Sequence, residues 1–320
     1  MRSIIENFAS QFKFIPKIVN AEKLPKNSKT FVVAGMGGSA LAAELIRVVC
    51  PSLNLFVHKG YSLPEHILEE KNVLFIGSSY SGNTEETISA TEEAIKRKLP
   101  TAVVSTGGKI IEIAKKTGIA YVEIPNTHIQ PRMATGFNSS CLLTLIAPSE
   151  SAKLHNLSQT LKPKEYESLG QKLGELLENK TPIVYSSLRN YPIAYNWKIK
   201  FNENTKIPAF ANAFPELNHN EMTGFDIVPK TKALSQNFHF LFLKDFQDNP
   251  RILKRMGICQ NILEARDLPV TNVEFEDGDP WLKIFRALLI ADWASFYLAK
   301  YYGNDPEQVP MVEEFKKLIK

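Results

Sequence analysis

The sequence predicts an α/β protein of two domains, each a mainly parallel sheet flanked by helices. Two observations lead there. Short, fully apolar runs of strand length alternate with helical patterns along both halves of the chain, and strands apolar on both faces belong to parallel sheets covered on both sides. The chain has 320 residues, 44% of them hydrophobic, which supplies a core for each of two such domains.

In the first half, 30–34 (TFVVA), 53–57 (LNLFV), 73–76 (VLFI), 101–104 (TAVV) and 120–124 (AYVEI) read as strands. Helical spacing covers 41–49, 85–98 and 110–116. The second half offers strands at 183–186, 207–210, 238–243 and 270–275, and helices at 165–178, 250–266 and 281–302. A polar stretch, 149–164, separates the halves, and places domains at 1–152 and 153–320.

Charged residues make up 22% of the chain and the net charge is +4, with no dense Lys/Arg block. That argues against a nucleic-acid or membrane-surface partner and suits a small anionic one. Cys50, Cys141 and Cys259 are odd in number, form no CxxC pair and sit in or beside apolar runs. Buried, reduced thiols and a cytoplasmic location are expected. The first residues alternate apolar and polar, unlike a secretion signal, and no apolar run approaches the ~20 residues of a membrane span.

Two loops carry the ligand signal. Gly35-Met36-Gly37-Gly38-Ser39-Ala40 joins a strand to a helix, where glycine lets the backbone approach a ligand. A dinucleotide fingerprint would need an acidic residue at the end of the next strand, but that strand ends Val57-His58-Lys59. A bare strand-to-helix turn is the other reading of this loop. The second loop, Gly77-Ser78-Ser79-Tyr80-Ser81-Gly82-Asn83-Thr84, runs from an apolar strand into a helix. A helix start presents unpaired N–H groups and partial positive charge. Hydroxyls around that point complete a phosphate site without Lys or Arg. One Ser or Asn would suffice for a helix cap; Ser79, Ser81 and Thr84 together exceed that need.

The SxSGNTxE string resembles the phosphate loop of the sugar isomerase (SIS) domain superfamily, and GMGGSA its companion loop. Three further strings come in order: Gln130-Pro131-Arg132-Met133-Ala134, Asn202-Glu203-Asn204-Thr205-Lys206, and Pro215-Glu216-Leu217-Asn218-His219-Asn220-Glu221. With the loops, they make the chain resemble the bifunctional phosphoglucose/phosphomannose isomerase family over essentially its whole length. The resemblance implies two SIS-type domains and an aldose–ketose isomerase acting on glucose 6-phosphate, fructose 6-phosphate and mannose 6-phosphate. It implies Glu203 as the base at C2 and C1, His219 in ring opening and Arg132 at the enediolate. Gly37, Gly38, Ser39, Ser79, Ser81 and Thr84 would hold the phosphate, and Lys300 would stand near the site. It also implies a homodimer with shared sites.

The residue types suit that chemistry. Imidazole exchanges protons near neutral pH, a carboxylate can carry a proton between adjacent carbons, and a fixed guanidinium stabilises an enediolate. A phosphosugar-binding regulator would need the hydroxyl loop but not Glu203, His219 and Arg132. An isomerase of a different sugar phosphate is the remaining alternative. Histidines at 58, 66, 128, 155, 219 and 239 form no HxH or HxxxH pair, so neither a metal nor another cofactor is expected.

Overall fold

The computed structural model describes every residue except His66, Leu68, Glu69, Ile227 and Lys320. The chain divides into two compact units, one of Asn7–Leu161 and one of Met1–Glu6 with Lys162–Lys320. The polar stretch read as a connector folds into the helices Pro148–His155 and Leu157–Thr160, and the division falls just after them.

The N-terminal unit contains β1 (Ile18–Val19), β2 (Thr30–Ala34), β3 (Asn54–His58), β4 (Val73–Ser78), β5 (Thr101–Ser105) and β6 (Ala120–Glu123). They form one sheet in the order β1-β6-β5-β4-β2-β3. All pairings are parallel except β1 with β6, and register is set by pairs such as Thr30 with Val73 and Ala34 with Gly77. β2, β4 and β5 are buried throughout, as central strands covered on both faces must be.

The second unit contains β7 (Thr181–Ser187), β8 (Phe210–Phe214), β9 (Phe238–Asp245) and β10 (Val270–Phe275). This sheet is fully parallel, in the order β10-β9-β7-β8. Its first strand lies between its second and third, as β2 lies between β3 and β4. In both sheets the direction of winding therefore reverses beside the first strand, where open sheets leave a crevice beyond the strand ends. The long helix Pro280–Tyr301 is apolar over most of its surface and largely buried. Among the described residues, no helix is long and apolar enough to cross a membrane.

The strand expected at 207–210 lies at Phe210–Phe214 instead. Lys206 takes a left-handed conformation and Pro208 offers no N–H, so ladder pairing starts only beyond them. Two helices escape sequence periodicity. Thr135–Ile146 is buried on nearly every side and Tyr191–Lys200 has no one-sided apolar stripe. Neither shows the polar face that marks a surface helix. Cys141 and Cys259 are buried, whereas Cys50 is half-buried, short of the expected full burial. Burial pushes the Cys50 and Cys259 thiols up to about 11.

Candidate active site

In the N-terminal unit, beyond the carboxyl ends of the strands, the loop after β4 meets the loops after β2 and β5, and the loop after β2 meets the turn at Arg132. Ser39, in the first turn of the helix Gly37–Val49, accepts a hydrogen bond from the Tyr80 N–H at 2.9 Å. The loop after β4 is organised around Ser79. Its Oγ lies 2.8 Å from Thr84 Oγ1, and it accepts from the N–H groups of Gly82 at 3.1 Å and Thr84 at 3.4 Å. Ser79 is buried and Ser81 is exposed, its Oγ accepting from the Asn83 N–H at 3.3 Å. Thr84 then leads into the helix Glu85–Lys96.

Two glycines are needed for these segments to approach. A Cβ on Gly38 would lie 2.5 Å from the carbonyl carbon and oxygen of Pro131 and 2.8 Å from the Arg132 nitrogen. The glycine loop and the Arg132 turn therefore touch backbone to backbone. Gly82, at φ +75°, would put a Cβ 1.8 Å from the Gly107 oxygen. Arg132 itself is buried on the short helix Pro131–Met133. Gln11 pins the chain on the far side of Arg132: its Nε2 donates to Met133 O at 2.7 Å and its Oε1 accepts from the Phe137 N–H at 3.2 Å.

The N-terminal structure thus joins the Ser39 loop to the Ser79–Thr84 loop through Tyr80 and sets Gly38 against the backbone of Arg132, while Ser81 stays exposed beside them. A third turn, Ser105-Thr106-Gly107-Gly108, went unread in the sequence although it repeats the pattern of strand, hydroxyls and glycine. Thr106 Oγ1 donates to Tyr80 O at 2.7 Å, and Ser105 Oγ donates to Gly107 O at 2.8 Å.

In the second unit, Glu203 lies in Phe201–Thr205, one turn of π-helix that continues the helix Tyr191–Lys200. Such widened turns recur at functional positions. The turn is tied on both sides. Lys200 pairs with Asp292, both buried. Asn204 Nδ2 donates to Ser295 Oγ at 2.9 Å, and Thr205 Oγ1 donates to Ser295 O at 3.1 Å. Asn304 Nδ2 donates to Thr205 O at 2.7 Å. His219 is exposed on the short helix Glu216–His219, anchored by fully buried Leu217. Glu221 steadies the far end, accepting from the Tyr185 hydroxyl at 2.5 Å and from Asn212 Nδ2. Lys300, in the last turn of Pro280–Tyr301, lines a groove with Glu175 and Glu178.

The crevice beside β7 has a different lining. Asp245 ends β9, and Asp248 lies three positions on. Both carboxylates are buried and pair with Arg189, while Lys283 Nζ reaches Asp245 Oδ1 at 2.9 Å. Burial pushes the Asp245 carboxyl up, but Lys283, the Gln247 N–H and Arg189 outweigh it and hold the carboxyl below its ordinary value. Burial carries Asp248 above its own.

Residues 167–319 match the family described as the bacterial phospho-glucose isomerase C-terminal SIS domain. Among solved structures, glucosamine-6-phosphate deaminase from Thermotoga maritima superposes with a TM-score of 0.70 at 16% identity, covering 97% of each chain. Two mainly parallel-sheet units, the second matching this family, define a protein of the SIS, or sugar isomerase, class. Bifunctional phosphoglucose/phosphomannose isomerase from Caldicellulosiruptor bescii is 34% identical, covering 94% of this chain and 91% of its own. The protein of that name from Aquifex aeolicus is also 34% identical, covering 99% and 97%. The chain belongs to the bifunctional phosphoglucose/phosphomannose isomerase family.

Proposed function

We propose that this protein interconverts glucose 6-phosphate and fructose 6-phosphate, and accepts mannose 6-phosphate as well. The observation that carries the reading beyond family membership is the Ser79 cluster at the start of Glu85–Lys96. It gathers neutral hydroxyls at a helix start, which favours a dianion, and Glu85 and Glu86 follow in the first turn of that helix. Ser39, Ser79, Ser81 and Thr84, with the backbone at Gly37 and Gly38, hold the phosphate.

His219 exchanges the proton needed to open the sugar ring. Glu203 then removes the C2 proton: the C2–H pair forms the C1=C2 bond and the carbonyl pair moves onto O1. Arg132 stabilises that enediolate. The C2 hydroxyl proton passes to O1, and as Glu203 returns its proton to C1 the electron pair on O2 forms the C2 carbonyl of the ketose. Glucose and mannose 6-phosphates differ only at C2 and share this intermediate, so one base serves both. Lys300 is included on resemblance alone. The working form is a cytoplasmic homodimer with shared sites.

A coupled assay over the three hexose 6-phosphates tests the reading. Turnover of all three is expected, and Glu203→Gln should retain phosphosugar binding while losing about 10²- to 10⁴-fold in kcat. An inactive parent protein that still binds phosphosugar would leave only a regulator. Parental kcat in Glu203→Gln would remove Glu203 from the mechanism.

A further inference from the structure

The turn that carries Glu203 is held from below by side chains that no step of the proposed isomerisation employs. Lys200 ends the helix Tyr191–Lys200, and its Nζ pairs with Asp292 of Pro280–Tyr301 where side-chain exposures are only 1% and 0%. One turn further along the same helix, Ser295 receives Asn204 on its hydroxyl and Thr205 on its carbonyl. The Ser295 hydroxyl in turn donates to Asp292 O at 3.1 Å. Lys200, Asn204 and Thr205 are thus all fixed to one four-residue stretch, 292–295. Glu203 projects from the widened turn between them and is itself half-buried.

A π turn holds one residue more than an α turn, so it rotates the side chains within it relative to an uninterrupted helix. Its geometry is less favourable, and it persists where its surroundings over-determine it. A buried ion pair is a weak device for stability but a directional one: each charge requires its partner in place. We propose that Asp292, Lys200 and Ser295 are positioning residues for Glu203, fixing the π turn so that one carboxylate serves both C2 and C1. The inference rests on reading Glu203 as the base. Carrying a proton between two adjacent carbons is more demanding than removing it once. The protonated carboxyl must deliver to C1 before it exchanges with water, so a base that wanders loses its proton to solvent.

The test compares Ser295→Ala and the double variant Lys200→Met/Asp292→Leu with the parent, using mannose 6-phosphate tritiated or deuterated at C2. Removing both charges together avoids a lone buried ion, and Ser295→Ala decides if the double variant fails to fold. In folded variants kcat should fall about 10- to 100-fold with KM little changed. The fraction of tritium transferred from C2 to C1, rather than released to water, should fall below the parental fraction, and the deuterium isotope effect on kcat should rise. Parental kcat and transfer in a folded variant would overturn the proposal. So would a lower kcat with unchanged transfer and isotope effect, the signature of a merely structural role. Parental transfer in Glu203→Gln is a separate outcome: it removes Glu203 as the base.

Discussion

The Tyr80 N–H donates to Ser39 Oγ across 41 positions of sequence. The glycine loop after β2 and the hydroxyl loop after β4 are therefore one hydrogen-bonded structure. Ser39→Ala should strand a buried N–H, at a cost of about 1–3 kcal/mol. Urea unfolding should register that loss, and KM for fructose 6-phosphate should rise more than kcat falls. Unchanged KM in the folded variant would remove Ser39 from phosphate binding.

Adjacent glycines make a controlled comparison. Gly38→Ala drives a methyl into the Pro131 carbonyl at 2.5 Å, against backbone that cannot rotate aside, whereas Gly37 at φ +49° faces open space. Gly37→Ala should cost roughly 1–2 kcal/mol of local strain. Gly38→Ala should cost more, about 3 kcal/mol at the upper end of overpacking, and should also lower kcat by displacing Arg132. Thermal melts paired with kinetics check the order; the reverse order would mean that the two loops do not pack as described.

His239 provides a pH dependence unconnected with catalysis. Burial, and next the Lys180 cation, lower its pKa from 6.5 to about 4, and its Nε2 lies 2.8 Å from Thr271 Oγ1. An unfolded chain takes up this proton near pH 6.5 and the folded one only near 4, so the unfolded state binds more protons between those values. Stability from this residue is complete above about 6.5 and declines as pH falls toward 4, by about 3 kcal/mol in all. His239→Gln should flatten the decline relative to the parent. Parallel unfolding curves at pH 7 and 4.5 measure it, and equal declines in both proteins would contradict the assignment.

The proposed chemistry uses side chains alone. Excess chelator should therefore leave isomerisation of fructose 6-phosphate and mannose 6-phosphate unchanged. Activity abolished by chelator and restored by zinc would reverse that expectation.

How much of the fold and the site was legible in the sequence depends on range. Central strands such as β2 and β4 could be read because burial on both faces leaves an uninterrupted apolar run, and the Ser79 loop because strand, hydroxyls and helix start are contiguous. The Ser105-Thr106-Gly107-Gly108 turn carried the same local signal and could have been found by it. Lys200 and Asp292 could not: they lie 92 positions apart, and an isolated Lys near a helix end reads as ordinary complementation of the dipole. Asn204 forms part of a recognisable string, and Ser295, like Asp292, stands out as a polar residue in an apolar helix, but nothing in the sequence pairs it with Asn204. The helix Thr135–Ile146 stayed hidden because burial on nearly every side erases the periodicity by which helices are recognised.

The two sheets wind alike, yet their crevices have opposite occupancy. Beside β2 the walls are hydroxyls and backbone N–H groups; beside β7 the space is taken by Asp245 and Asp248, each neutralised from within the chain. A dianion entering the second crevice would have to displace two carboxylates from their own cations. Titration calorimetry on this chain should accordingly saturate at one phosphosugar per polypeptide, the second socket having been plugged by the protein's own charges.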